Sequence, residues 1–224
     1  MDRTGKEERG ILRERVLPKE RYETEGYFNE KQWASYLFVI RAVIRNVPKG
    51  EKILEIGAGG GYVAMLLAKI GYTVETYDVN PNLEPTKVVD ISSDAFSAED
   101  IEKYGCVICT EVLEHIPFDK FEICIQNIHR LSRKWVFLTI PDAYEKQQIR
   151  FSLGRRTLRS PIFRTYVRKE LVSIHFWELN HRPECSYEKV REILRKYFDI
   201  EQECDIPSNY YHHYYKLKIV KGEV

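Results

Sequence analysis

One stretch constrains the fold more than any other: Ile53-Leu54-Glu55-Ile56-Gly57-Ala58-Gly59-Gly60-Gly61-Tyr62-Val63-Ala64-Met65-Leu66-Leu67-Ala68. Apolar residues of strand type run up to Glu55 and Ile56. Four glycines follow within five positions, and an apolar run of helical period starts at once. Glycines let the backbone turn sharply and approach a ligand without a Cβ clash. The helix N-terminus then presents N–H groups that have no partner in the helix. Strand, glycine turn and helix in that order are how a doubly wound α/β domain holds a nucleotide-like ligand. Glycine loops also occur as plain turns, but this one has an acidic residue, Asp78, about 20 residues further on, where such folds place a carboxylate for ribose.

Length and charge set the frame. The 224 residues suit one domain, or one domain with a cap. The 35 basic and 34 acidic residues nearly cancel, so no global field points to nucleic acid or to a membrane. The opening MDRTGKEERG is charged and lacks the apolar core of a signal peptide. No apolar run approaches the roughly 20 residues needed to cross a bilayer. A soluble, cytoplasmic chain without a transmembrane segment is expected. Cys106 and Cys109 lie in a strand-like run with no second pair at zinc spacing, which predicts buried thiols. Cys124 falls in an amphipathic helix, and Cys185 and Cys204 stand alone, so no disulfide framework is expected.

The order of elements follows from periodicity. Residues 1–28 are a charged N-terminal extension, flexible or helical, and the α/β domain occupies 29–224. A helix-period stripe through Trp33, Leu37, Ile40 and Ile44 is stopped by Pro48 and Gly50. Strands are predicted at 52–56, 73–77, 87–89, 106–109 and 134–139, with helices at 61–70, from Ser97, and at 118–131. This β-α-β alternation argues for a parallel sheet covered on both faces. Residues 142–183 show no clean period and read as an insertion or lid. A helix at 186–196 and a hairpin of strands at 198–204 and 211–220 follow, adding an antiparallel strand.

The segments LEIGAGGGY, YDVNP, VVDIS, CTEVLEHIP and VFLTIP succeed one another between residues 50 and 141, and NYYHHYYKLKIV comes late. In these segments the chain resembles class I S-adenosylmethionine-dependent methyltransferases, particularly the type 11 group. The resemblance implies a Rossmann-like, mixed seven-stranded sheet with one antiparallel strand. It implies S-adenosylmethionine as cofactor and transfer of its methyl group to an acceptor, here expected to be a small molecule, with the charge of the lid admitting an anionic one. Carried over by position, Glu55, Gly57, Ala58, Gly59 and Gly61 would surround the methionyl and ribose parts. Asp78 and Val79 would hold the ribose, and Asp90 and Ile91 would flank the adenine, with Asp94 as an alternative. Thr110 and Glu111 would meet the methionyl end.

Glu111-Val112-Leu113-Glu114-His115 carries the remaining chemistry. If helical, Glu111, Glu114 and His115 share one face. The same spacing resembles the metal-linked motif of ubiquinone-biosynthesis O-methyltransferases and small-RNA 2′-O-methyltransferases. In the RNA group a later H-x-F-E-W-like histidine completes that site, and His175-Phe176-Trp177-Glu178 is a loose counterpart. The E-V-L-E-H segment also occurs throughout metal-free type 11 enzymes, and the metal-free reading is preferred over a site of Glu111, Glu114, His115 and His175. A hydroxyl acceptor needs a base, for which His115 and His175 are the candidates, whereas an amine acceptor would use Glu111 or Glu114.

The span from Lys146 to Lys169 holds eight basic residues and no acid, interleaved with Phe151, Phe163 and Tyr166. It is either a lid for an anionic acceptor, RNA backbone or lipid head-group, or a solvated helix. Adjacent His212 and His213 would point to opposite faces of a strand, which argues against joint chelation. Three alternatives remain: a metal-assisted O-methyltransferase acting on RNA or a quinone or lipid, a non-catalytic cofactor-binding protein, and a nicotinamide dehydrogenase. The last would need a G-x-G-x-x-G register that this loop lacks. Nucleic acid is not favoured, and the oligomeric state is not legible.

Overall fold

Strand-forming apolar runs alternate with amphipathic helices along most of the chain, and they stack as three layers. A computed structural model describes residues 14–93, 96–154, 156–168 and 170–220. Asp94, Arg155, Lys169 and residues 1–13 therefore lie outside the described residues. Among those described, seven strands form the main sheet: β1 (Lys52–Ile56), β2 (Thr73–Asp78), β3 (Lys87–Val88), β4 (Tyr104–Thr110), β5 (Ser132–Pro141), β10 (Phe198–Ile206) and β11 (Asn209–Ile219). Their spatial order is β10-β11-β5-β4-β1-β2-β3. β3, β2, β1, β4 and β5 run parallel, and β11 is antiparallel to both β5 and β10. The expected mixed seven-stranded, Rossmann-like sheet is what forms.

Both faces are covered, so the central strands read as continuous apolar runs rather than alternating ones. Helices α1 (Glu30–Asn46) and α2 (Tyr62–Lys69) bury Val39, Ile40, Val43, Val63 and Leu67 against Ile53, Ile108 and Phe137. Helices α3 (Phe121–Leu131) and α4 (Tyr187–Leu194) bury Ile125, Ile128, Val190 and Leu194 against Leu54, Val107, Val136 and Leu138. Ile53 and Leu54 are adjacent and wholly buried in opposite layers, as the strand pleat requires. Truncating either to alanine would cost about 3 kcal/mol. Asn29 caps α1 by accepting from the Gln32 N–H at 2.9 Å. All five cysteines are free, and burial raises the thiols of Cys106 and Cys109 well above their usual range. Among the described residues no helix is long and apolar enough to cross a membrane.

Two expectations change. Residues 111–115 do not form an α-helix: Glu111 takes a left-handed φ of 56°, and Leu113–His115 is one turn of 3₁₀ helix. The 146–169 stretch is not a helix either. It folds as two small antiparallel pairs, β6 (Tyr144–Gln147) with β9 (Phe163–Val167), and β7 (Arg150–Leu153) with β8 (Arg156–Arg159).

Candidate active site

A cavity of about 350 Å³ opens at the carboxyl ends of β1, β2 and β4. This is where open α/β sheets hold ligands, because the strand order reverses there and loops diverge. Its volume falls within the range of small-molecule sites.

The glycine loop forms one wall. Gly57 turns away from β1 with φ 67°, and its N–H donates to the Tyr77 carbonyl at 2.7 Å. A Cβ built there would lie 2.2 Å from Val112 Cγ2, so only glycine fits. Glu55, 2 % exposed, accepts from the Ala64 N–H at 2.8 Å and so ties the end of β1 to the first turn of α2. Burial, with the Asp78 charge nearby, pushes its carboxyl up to about 8 despite that hydrogen bond. Asp78 ends β2 and accepts from the N–H groups of Asn80 at 3.0 Å and Gly59 at 3.2 Å. Burial raises its carboxyl above the ordinary value. Ala58, Gly59 and Val79 line the same wall, whereas Gly61 lies just beyond it as the N-cap of α2, with φ 69°.

Asp90 and Ile91 form the next part of the wall. The Asp90 carboxylate accepts from the Ser92 N–H and hydroxyl and from Arg15 at 2.9 Å. Burial opposes its charge, but Ser92 and Arg15 outweigh burial and hold the carboxyl below its usual value. Asn127 on α3 donates to the carbonyls of Ile91 and Ser93, fixing this loop from beneath.

Thr110, Glu111, Glu114, His115 and His175 line the opposite side. The structure divides the four residues of the E-x-x-E-H reading. Glu111 turns away, accepting from the Thr139 hydroxyl at 2.7 Å and lying 2.7 Å from His212 Nε2. Burial opposes its charge, but His212 and Thr139 hold its carboxyl low. Glu114, His115 and His175 do converge, with one potential ligand atom from each within 4.8 Å of the others. Glu114 is wholly buried, and neither carboxyl oxygen has a hydrogen-bond partner among the described residues. Burial, with Glu111 and Glu178 adding like charge, raises its carboxyl far above the ordinary value. The His115 Nδ1 is likewise unpartnered. Burial and the neighbouring His175 push the His115 imidazole down to about 4. The two rings stand edge to face with centroids 5.0 Å apart. His175 Nδ1 lies 3.0 Å from Glu178, whose carboxylate also accepts from Tyr211 at 2.8 Å and Arg168 at 2.6 Å.

Several lining residues were not anticipated. Leu17, Arg21, Tyr22 and Tyr27 come from the N-terminal extension, and Tyr36 comes from α1. The Tyr62 hydroxyl donates to the Tyr22 carbonyl at 2.9 Å, and the Tyr22 ring lies over Gly59. The aromatic density of residues 22–36 was the available signal. His212 also lines the cavity, while His213, on the other face of β11, pairs with Glu203 and Asp205. The basic segment stays out of it. Lys146 is buried between Asp142 and Asp205 at 2.5 Å, Arg168 is paired with Glu178, and no described residue from 146–169 lines the cavity.

Fold and cavity together define the class: a Rossmann-like domain of the class I methyltransferase type. A family model described as a methyltransferase domain matches residues 29–197, and the chain belongs to that family. Among curated relatives, the ubiquinone biosynthesis O-methyltransferase of Vibrio parahaemolyticus is 38 % identical over 80 aligned residues, covering 30 % of this chain and 34 % of the relative. The protein of the same name from Salmonella newport is 30 % identical over 122 residues, covering 42 % and 50 %. The chain thus spans half or less of the length of these curated relatives. Among solved structures, the N-methyltransferase NodS from Bradyrhizobium japonicum, in complex with S-adenosylhomocysteine, aligns with a TM-score of 0.61 at 12 % identity, covering 95 % of this chain and 98 % of that one. Magnesium protoporphyrin IX methyltransferase from Synechocystis, with bound S-adenosylmethionine, aligns at 0.54 with 16 % identity, covering 83 % and 78 %. At these identities the likeness is one of fold.

Proposed function

We propose that this chain is an S-adenosylmethionine-dependent methyltransferase acting on a small-molecule acceptor in the cytoplasm. The observation that carries the reading is the convergence on one cavity of the Gly57–Gly60 turn with Asp78 on one side and His115 with His175 on the other. The turn suits the donor because Gly57, Gly59 and Gly60 line the cavity with backbone alone, which lets a ligand approach closely. Asp78 would accept from the ribose hydroxyls, its oxygens retaining lone pairs beyond those used by Gly59 and Asn80. Val79 lies beside it. Ile91 would pack on the adenine while Asp90 accepts from its amine, and Ala58, Thr110 and Glu111 would border the methionyl end. Five free cysteines support the reducing compartment.

The donor supplies an electrophilic methyl group, so the protein's share of the work is alignment and exclusion of water. For a hydroxyl acceptor, His175 is the base and its partner Glu178 orients the ring and steadies the positive charge as the proton arrives. His115, held neutral by burial and by the neighbouring His175, stands edge to face beside it. An anionic acceptor would meet Arg21, which lines the cavity, rather than the 146–169 segment.

One observation favours a second reading, metal-assisted O-methyl transfer. A buried carboxyl with both oxygens unpartnered is costly unless something compensates it, and two imidazoles adjoin it. Glu114, His115 and His175 fit a divalent ion, which would act as a Lewis acid and lower the pKa of the acceptor hydroxyl. The O-methyltransferase relatives support this reading on the quinone side rather than the RNA side.

Calorimetric titration with S-adenosylmethionine, S-adenosylhomocysteine and NAD tests the donor. Binding of the first two and not the third is expected, and the reverse overturns the reading. Donor binding without turnover on a panel of hydroxylated aromatics, with or without Mg²⁺ or Mn²⁺, would leave the non-catalytic alternative.

A further inference from the structure

The β7–β8 hairpin has a job that the cavity does not explain. It is a two-stranded sheet of its own, hydrogen-bonded to no other strand among those described. Two-stranded sheets are marginal in water unless something covers them. Its register pairs Phe151 with Leu158 and Leu153 with Arg156, so the strand pleat puts Phe151, Leu153 and Leu158 on one face with Arg156 beside the turn. These three are 62 %, 75 % and 71 % exposed, and Ile149 at the hairpin's base is 68 % exposed. Ser152 and Thr157, whose hydroxyls meet at 3.0 Å, occupy the other face. One face is therefore apolar but for Arg156 at its tip, and that face is turned to solvent. Contiguous apolar exposure of this kind marks a contact surface.

The charge identifies the partner. Arg150, Arg156 and Arg159 belong to the hairpin's two strands, and no acidic residue occurs in the sequence from Lys146 to Lys169. A second copy docked face to face by a two-fold axis would set arginine against arginine without a compensating acid. A nucleic acid would satisfy the arginines but leave Leu153 and Leu158 without apolar partners. An anionic bilayer surface satisfies both, because its acyl boundary takes the apolar face and its phosphates take the guanidinium groups.

We infer that the β7–β8 hairpin is a membrane-surface anchor that seats Ile149, Phe151, Leu153 and Leu158 in the interface of an anionic bilayer. The chain runs from β9 into Val172, Ile174 and His175 on the cavity wall, which carries a docked hairpin's anchorage toward the site. The inference rests on the hairpin alone and stands whether or not the catalytic reading does.

Co-sedimentation of the full chain with two vesicle types tests it: phosphatidylcholine alone, and phosphatidylcholine mixed with phosphatidylglycerol. Binding to the anionic vesicles should be at least roughly tenfold stronger than to the neutral ones and should weaken with salt. The variant Phe151→Ser/Leu153→Ser/Leu158→Ser should lose roughly tenfold or more of that binding with its donor binding and unfolding midpoint unchanged. If the triple variant misfolds, Leu153→Ser at the hairpin tip serves alone. Arg156→Glu should lower binding to anionic vesicles selectively. Failure of the wild-type chain to bind either vesicle overturns the inference, as does a serine variant that binds equally well. So does a lipid-free dimer that the serine variant abolishes, or binding to an RNA homopolymer that Arg156→Glu loses and the serine variant keeps.

Discussion

His212 Nε2 sits 2.7 Å from the Glu111 carboxylate at the cavity margin, and Ser35 on α1 lies 2.8 Å from the other ring nitrogen. Asn209 adds a donor to the Ser35 hydroxyl at 2.9 Å. Three elements distant in sequence are thereby joined beneath the end of β4. The pair also explains why Glu111 stands apart from Glu114: with φ 56° its side chain leaves the 3₁₀ turn and reaches β11.

Removing His212 leaves the Glu111 carboxylate with Thr139 as its remaining side-chain partner. His212→Ala should therefore destabilise the fold by about 2 kcal/mol. Ser35→Ala, which removes the hydroxyl that meets both His212 and Asn209, should cost about 1 kcal/mol. Urea unfolding midpoints check both, and equal small losses would mean the pair contributes little.

Gly57→Ala places a methyl group 2.2 Å from Val112 Cγ2 at a left-handed φ of 67°. The left-handed conformation alone costs about 1 kcal/mol for a non-glycine residue. The loop must shift, and donor affinity measured by calorimetry should fall at least about tenfold, which corresponds to about 1.4 kcal/mol. Adding Val112→Ala should recover part of the loss, since it removes the clashing methyls and not the φ strain.

Glu114 separates the two chemical readings. In metal-free buffer Glu114→Gln replaces a buried, unpaired carboxyl by a neutral isostere and should leave stability unchanged or raise it by about 1 kcal/mol. If the ion site is real, the same variant loses Mn²⁺ binding in a calorimetric titration. Wild-type protein that binds neither Mn²⁺ nor Mg²⁺ would restrict proton removal to His175.

The raised carboxyl of Glu55 has a signed consequence. The unfolded chain loses this proton near 4.5 and the folded chain near 8, so stability falls as pH rises between them. The His115 imidazole runs the other way: its folded value near 4 costs stability as pH falls below the unfolded 6.5. Between pH 6.5 and 8 the Glu55 slope is unopposed by His115. The apoprotein should lose about 2 kcal/mol there from this group, and Glu55→Gln should remove that share. Thermal unfolding at the two pH values tests it, and an unchanged slope in the variant would assign the effect to Glu114.

The reach of the sequence is clearest at the loop. Glu55, Gly57, Asp78 and Asp90 were legible because strand ends, turns and helix starts are written in adjacent residues. Where the alternation is strict, as in 52–78 and 104–141, the parallel sheet follows from it. The hairpins within 142–183 were not legible, because their exposed strands bury too little to impose a clean period.

Local sequence thus determined the strand–turn–helix, the acid at each strand tip and the doubly wound sheet, since each depends on near neighbours. Only the tertiary structure decided that Tyr22 lies over Gly59, that His212 takes Glu111 while Glu114 stays unpaired between His115 and His175, and that Lys146 is spent on Asp142 and Asp205. Those outcomes turn on which distant elements the folded sheet brings together. A side chain's partner is set by that meeting and not by the residues beside it.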